Sequence, residues 1–355
     1  MYKTKHDKVS YVMMACGFRS GAALTSSIIN SHSEASFSVD IIKYWNYCFG
    51  RYPELNGEKL IFMLEELQFR LSARFGVELD VNKCLKLIGG SLKHVDIYLI
   101  IMNQILNRDS SENKIIGECE GLIWSKIPFF MENIPNSKSM IILRDPRDVL
   151  VSFKKNTIAP GNDYLVSVFN NLSLMHSWLD YETEYKERFL GVRFEELKEN
   201  TEMVAKRISK FLNLEYEPSM LNESKWTKLG KGGWVEWENK DTSSFAKEQK
   251  LKNNPVGRWR DIIDPVDHFI CEWIAGDMMR KFNIDLEFVD FSQDLFDEAI
   301  HRIMSSDLLR ECFYNYICYK KGSEKYPINP YSAKNWSKLD NLDFDKISAN
   351  NKFLL

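Results

Sequence analysis

Residues 9–29 read Val9-Ser10-Tyr11-Val12-Met13-Met14-Ala15-Cys16-Gly17-Phe18-Arg19-Ser20-Gly21-Ala22-Ala23-Leu24-Thr25-Ser26-Ser27-Ile28-Ile29. An apolar run from Val9 to Ala15 ends near Gly17, and Leu24, Ile28 and Ile29 then follow at helical spacing. The stretch predicts a strand, a tight loop and a helix. Brief apolar runs recur at Lys114 to Glu118, Met140 to Leu143 and Phe189 to Val192, bounded by polar residues or glycine as buried parallel strands are. Helical periodicity separates them, at Glu58 to Phe75, Leu92 to Leu106, Leu165 to Leu179 and Leu197 to Leu212. Strands alternating with helices predict an α/β fold, a parallel sheet flanked by helices.

A net charge of −3 excludes a globally basic nucleic-acid binder, so any phosphate site has to be local. The apolar run after the polar segment Met1 to Ser10 is too short to span a membrane, and no signal peptide is evident. The 7 cysteines are scattered without a Cys-x-x-Cys pair, which predicts reduced thiols, a cytoplasmic location and no metal site. The helices at 58–75 and 92–106 read as an insertion near 55–110. Trp226 to Asn254, rich in Lys, Gly, Ser and Asn, reads as a long surface loop able to close over a site. From Ser292 helical patterning runs to Lys320, and a polar tail follows.

Three segments carry chemistry. In Gly17 to Leu24 a glycine-bearing loop enters a helix, so backbone amides and the helix dipole face an anion while Arg19 adds a full charge. The loop lacks the Gly-x-x-x-x-Gly-Lys-Ser/Thr order of nucleoside-triphosphate enzymes. The second segment, Ile141 to Ser152, ends a buried strand in Arg144, turns at Pro146 and returns a hydroxyl at Ser152. Arg144 can fork two phosphate oxygens while Ser152 donates to a third. The alternative is a salt-bridged turn, with Arg144 and Arg147 paired to Asp145 and Asp148. The third segment is Asn254-Pro255-Val256-Gly257-Arg258-Trp259, in which Gly257 permits a tight backbone and Trp259 suits a packing anchor.

In combination and order these segments resemble the sulfotransferases that use 3′-phosphoadenosine 5′-phosphosulfate (PAPS). Gly17 to Leu24 resembles their 5′-phosphosulfate loop, Arg144 to Ser152 their 3′-phosphate motif, and Gly257-Arg258-Trp259 their Gly-x-Trp signature. Val192 to Leu197 is similar to their strand-end Tyr-Glu-Asp-Leu pattern. The resemblance runs from about Ser10 to Phe282 and implies a P-loop-like sulfotransferase fold. It implies a sulfotransferase domain over 1–290 that includes the insertion, with 291–355 left as helical extension and tail. It also implies PAPS as co-substrate and adenosine 3′,5′-bisphosphate (PAP) as product. Arg19 and the loop residues Ser20, Gly21, Ala22, Ala23, Leu24 and Thr25 would hold the 5′-phosphosulfate. Arg144, Ser152, Lys252, Gly257 and Arg258 would serve the 3′-phosphate, and Phe194 would stack on adenine or else belong to the core. Ala22 and Ala23 replace the family's paired threonines, which removes two hydroxyls from the phosphate site.

The acceptor hydroxyl needs a general base. Asp40 stands 21 positions after Arg19, where relatives acting on tyrosine or glycans carry an acid. Glu118 and Glu120, after the Ile115-Ile116 strand, compete with it. The acceptor, a glycan, lipid or small molecule, would be bound by residues within 40–106 and 229–254. Two other readings stay open, a catalytically silent PAPS- or PAP-binding protein on the same fold and a nucleotide kinase.

Overall fold

Strand β1 (Ser10–Cys16) sends Tyr11, Met13 and Ala15 into one hydrophobic cluster and Val12, Met14 and Cys16 into another. Apolar side chains on both faces require cover on both sides, so the strand sits at the centre of a layered sheet. In the computed structural model, which describes residues 9–106, 113–156, 159–226, 255–287 and 290–328, this is what surrounds it. The other strands are β2 (Ala35–Val39), β3 (Ile115–Gly121), β4 (Lys138–Leu143) and β5 (Phe189–Arg193). They pair in the order β2-β3-β1-β4-β5, and every pairing is parallel. After β1 the chain runs to the β3 side, and after β3 it crosses to β4 on the opposite side. A sheet that reverses direction in this way opens a crevice at the carboxyl ends of its central strands.

One face is covered by α1 (Ala22–Asn30), α9 (Phe194–Glu199) and α10 (Thr201–Leu212). A π-helical turn (Tyr44–Cys48) and a short turn α2 (Phe49–Arg51) follow β2. They lead into α3 (Gly57–Phe75), α4 (Val81–Ile88) and α5 (His94–Leu106), which pack over the second face. Beyond them on that face lie α6 (Ile127–Asn133), α7 (Pro146–Asn156), α8 (Val166–Glu184) and α11 (Pro265–Lys281).

Residues 57–106 thus form three helices where periodicity predicts two. The middle one is set by local capping: the Asp80 carboxylate accepts the Lys83 amide at 2.9 Å, and Gly89 closes the helix at φ 59°. Strand β2, also absent from the sequence reading, alternates Ser36 and Ser38 with Phe37, all buried. Phe37 fits because Gly117 of β3 has no side chain; a Cβ there would stand 2.3 Å from the ring.

After α11 come α12 (Gln293–Ile303) and α13 (Asp307–Tyr319), whose Ala299, Ile303, Leu309 and Phe313 enter the same cluster as the insertion. Arg302 pairs with Asp264 and Asp267 at 2.8 Å each, and Lys154 reaches the same two carboxylates at 2.7 and 2.6 Å. The described residues at the start of the segment read as a polar tail are held against α8. Ser323 donates its amide to the Phe169 carbonyl at 3.1 Å, and Asn170 makes two 2.9 Å bonds to the Lys325 backbone. Among the described residues no helix is long and apolar enough to cross a membrane. All seven cysteines are free thiols, and only Cys318 is exposed.

Gly191 of β5 lies under Trp178 of α8, where an added Cβ would fall 1.8 Å from the indole. Gly191→Ala therefore overpacks the core and is expected to cost about 1–3 kcal/mol in urea unfolding. In the background of Trp178→Ala, where the ring is gone, the same change is expected to cost far less.

Candidate active site

The connection from β1 to α1 reverses direction through two left-handed residues, Arg19 at φ 58° and Gly21 at φ 93°. Gly21 is the residue before the helix, and its carbonyl accepts the Thr25 amide at 3.1 Å. The first-turn amides of α1, on Ala22, Ala23 and Leu24, have no carbonyl behind them and sit at the positive end of the helix dipole. Glycine is required at 21 twice over, since its φ is left-handed and a Cβ would lie 2.2 Å from the Phe194 ring. The loop borders a cavity of about 240 Å³ at the carboxyl ends of the strands. Its wall consists of residues 16–24, Val39 ending β2, Asp40 and Lys43 after it, Gly121 ending β3, Arg144 after β4, Phe194 after β5, and Pro255 and Tyr326.

Arg144 is only 2% exposed. Its guanidinium donates to the Arg19 carbonyl at 3.1 Å and the Pro255 carbonyl at 2.9 Å, and it lies 4.8 Å over the Phe194 ring. The turn behind it divides its charges. Arg147 binds Asp145 at 2.8 and 3.1 Å and Glu272 at 2.6 Å, with its guanidinium 3.9 Å from the Trp259 ring centre. The salt-bridged reading of this turn therefore holds for both arginines, since Arg147 pairs with Asp145 and Arg144 with Asp148. Asp148, 3.8 Å from Arg144, accepts the Gly257 amide at 2.8 Å and the Trp259 amide at 3.1 Å. Burial raises its pKa, against the pull of Arg144 and of those two amides.

Gly257, at φ 74°, and Arg258 open a 3₁₀ turn (Arg258–Asp261) that is pinned to Asp148, so Pro255 is the member of this segment that reaches the cavity wall. Ser152 accepts a 3.1 Å bond from Arg19 Nε. Two side chains expected at opposite ends of a nucleotide are thus bonded to each other, and Ser152 lies outside the cavity wall. The Ser20 hydroxyl donates to the Gly17 carbonyl at 2.8 Å and that of Thr25 to Gly21 at 3.2 Å, so both are used within the loop. Lys252 and residues 227–254 lie outside the described residues.

The candidate bases occupy different places. Asp40, left-handed at φ 53°, lies on the cavity wall with its side chain about half exposed. Its carboxylate is 3.4 Å from Lys43 Nζ and accepts the Gly121 amide at 3.4 Å. Glu118 and Glu120 lie behind the wall, 1% and 0% exposed. They hold the π-helical turn: Glu118 accepts the Lys43 amide at 2.7 Å, and Glu120 accepts the amides of Asn46 at 2.9 Å and Trp45 at 3.3 Å. Burial, reinforced by Glu120, lifts Glu118 well above the ordinary carboxylate range. Burial pushes Glu120 up to about 8.

Lys43 and Tyr326 are wall residues that sequence reasoning missed. Lys43 follows Asp40 by three residues, a spacing without a motif. Tyr326 lies beyond the last helix, and its hydroxyl donates to the Gly121 carbonyl at 2.9 Å while accepting from Asn46 Nδ2 at 2.7 Å.

Comparison with known proteins bears on the fold. Residues 127–282 match the family described as the sulfotransferase domain. The fold is that of a sulfotransferase. The sulfotransferase domain of the olefin synthase from Synechococcus PCC 7002 superposes with a TM-score of 0.54 at 18% identity, over 80% of this chain and 98% of that one. The sulfotransferase domain from the curacin biosynthetic pathway gives 0.51 at 18% identity, over 79% and 99%. At such identities the likeness is one of fold. Comparison with curated proteins returns no match. Among the described residues of this sulfotransferase fold, no cluster of three or more His, Cys, Asp or Glu side chains could hold a metal ion.

The buried carboxylates give the fold a pH dependence of definite sign. Glu120 titrates near 4.5 in the unfolded chain and about 8 in the folded one, so between those values the folded state holds the extra proton. Its contribution is complete below pH 4.5 and is lost as pH rises toward 8. Glu120→Gln, which keeps an acceptor oxygen for the turn, is expected to lose at least about 1 kcal/mol less than the parent between pH 5 and 8 in urea unfolding.

Proposed function

We propose that the protein is a PAPS-dependent sulfotransferase acting on the hydroxyl of a small-molecule or glycan acceptor. The reading is supported above all by one observation: Arg144, withdrawn from solvent at the end of β4, faces the same cavity as the first-turn amides of α1. A guanidinium and a helix N-terminus on one wall suit a ligand with phosphate at both ends. The loop also fits closely approaching phosphate, because Gly21 keeps the backbone flush against Phe194.

In this reading Arg144 holds the 3′-phosphate, with Arg258 and Lys252 completing that site, and Phe194 gives the adenine an aromatic wall. The amides of Ala22, Ala23 and Leu24 take the 5′-phosphosulfate. Ser152 fixes Arg19 through its Nε, which orients the guanidinium toward the oxygen that gains charge as the sulfuryl group departs. The nucleotide supplies the activated sulfuryl group, and transfer asks of the protein mainly alignment and charge stabilisation. Asp40 receives the proton of the acceptor hydroxyl, since it is the carboxylate on the cavity wall, while Glu118 and Glu120 are occupied by backbone amides. The free, mostly buried thiols suit the reducing cytoplasm proposed as its compartment.

Ala22 and Ala23 both line the cavity and offer no hydroxyl, which supports a second reading as a protein that binds the nucleotide without turning it over. Labelled PAPS separates the two.

Titration calorimetry with PAP is expected to show binding without magnesium, and Arg144→Ala to weaken it by at least about 2 kcal/mol. Undiminished affinity in that variant would remove the 3′-phosphate assignment. Asp40→Asn is expected to bind PAP normally and to lower sulfuryl transfer by about a hundredfold. Wild-type turnover in Asp40→Asn, with Glu118→Gln inactive, would move the base to β3.

A further inference from the structure

The sheet order divides the cavity wall into two halves. Arg144 and Phe194 stand at the ends of β4 and β5, on one side of the β1 loop. Val39, Asp40, Lys43 and Gly121 stand at the ends of β2 and β3, on the other. Among the described residues of the cavity wall, those proposed to hold nucleotide phosphate lie in the loop or on the first side. The proposed base lies on the second, which is therefore where an acceptor has to enter.

Tyr326 belongs to this second half, although it comes from the far end of the chain. Its hydroxyl bridges the Gly121 carbonyl and Asn46, and the Gly121 amide in turn donates to Asp40. Its ring meets Phe18 of the β1 loop edge-on, with centroids 5.8 Å apart. The segment that carries it is fixed to α8 by the Ser323 and Lys325 bonds and by Gly322, where a Cβ would stand 2.1 Å from the Phe169 carbonyl. A strap pinned in this way holds an aromatic ring in place where a tail would let it swing.

We propose that residues 321–326 are a strap that forms the acceptor-side wall of the site, and that Tyr326 is the residue on it that touches the acceptor and shields the sulfuryl group from water. The proposal rests on the sulfotransferase reading. Removing the ring opens the second half of the cavity while the phosphate-binding half keeps its contacts. Water then competes as acceptor: its oxygen bonds to sulfur as the bond from sulfur to the phosphate oxygen breaks, sulfate and PAP leave, and the proton passes to solvent. The same opening uncovers Cys16, a cavity-wall thiol that is only 3% exposed in the parent chain.

The test uses the full chain and the variants Tyr326→Ala, Tyr326→Phe and Gly322→Ala. Calorimetry with PAP comes first; a parent protein that fails to bind PAP overturns the sulfotransferase reading itself. With binding in hand, Tyr326→Ala and Gly322→Ala are expected to raise acceptor-independent PAPS hydrolysis at least fivefold, with PAP affinity within twofold of the parent. Tyr326→Phe, which keeps the ring, is expected to give a smaller rise. Independently of the nucleotide, iodoacetamide should alkylate Cys16 at least fivefold faster in Tyr326→Ala, as read by mass spectrometry, with Cys84 and Cys271 unchanged. Hydrolysis and Cys16 labelling at parent rates would overturn the proposal. So would equal gains in labelling at all three thiols, which would mean general loosening, or a tenfold loss of PAP affinity, which would place the strap on the nucleotide side.

Discussion

The Phe194 ring presses on Gly21 from the end of β5, and Arg144, from the end of β4, lays its guanidinium against the same ring. This stack joins the ends of three adjacent strands. The β1 loop can hold its left-handed turn only because residue 21 lacks a side chain, and the burial of Arg144 is supported by hydrogen bonds to the Arg19 and Pro255 carbonyls and by the nearby Asp148 carboxylate. Removing one partner strands the others: a side chain at 21 displaces the ring, and loss of the ring leaves a buried cation without its apolar support. The geometry of the helix N-terminus therefore follows from packing at Gly21, the residue just before the helix.

A second shell of charges keeps that stack in place. Asp148 uses both carboxylate oxygens on the backbone of the Gly257 turn, which brings Pro255 within reach of Arg144. Arg147 ties the Pro146 turn to Glu272 of α11, and His268 Nε2 donates to the same carboxylate at 2.9 Å. Buried pairs of this kind add little net stability against apolar replacements, yet losing one partner costs roughly 3–5 kcal/mol. Their contribution is to fix the direction in which Arg144 points.

The sheet core was legible in the sequence because β1, β4 and β5 have apolar side chains on both faces, and the turn from β1 into α1 was legible because Gly17 and Gly21 punctuate it. Strand β2 was not, since two of its five residues are serines, and their burial is decided by neighbours that no local pattern reveals. The Arg-Asp-Pro-Arg-Asp turn was legible only as two alternatives. Which arginine faces the cavity depends on Glu272 and Trp259, more than a hundred residues away. Glu118 and Glu120 were candidate bases by their place after the Ile115-Ile116 strand, but their engagement by the amides of Lys43, Trp45 and Asn46 is something a chain pattern does not place. Tyr326 gave no signal at all, because the strap that carries it is held by backbone bonds to Asn170 and Phe169.

This asymmetry has a physical origin in the two halves of the cavity. Binding a phosphate demands amides at a helix N-terminus and a planar cation at fixed spacing, so that half is written in short contiguous segments at the ends of β1 and β4. Enclosing an acceptor demands only shape and a positioned carboxylate, which residues from anywhere in the chain can supply. Asp40, Lys43, Gly121 and Tyr326 come from three separate stretches and are linked mainly by bonds through Gly121 and Asn46. A wall built from independent segments can change its contour without disturbing Arg144 or the β1 loop. In the proposed reading, acceptor choice is thus free to vary on a nucleotide site that is not.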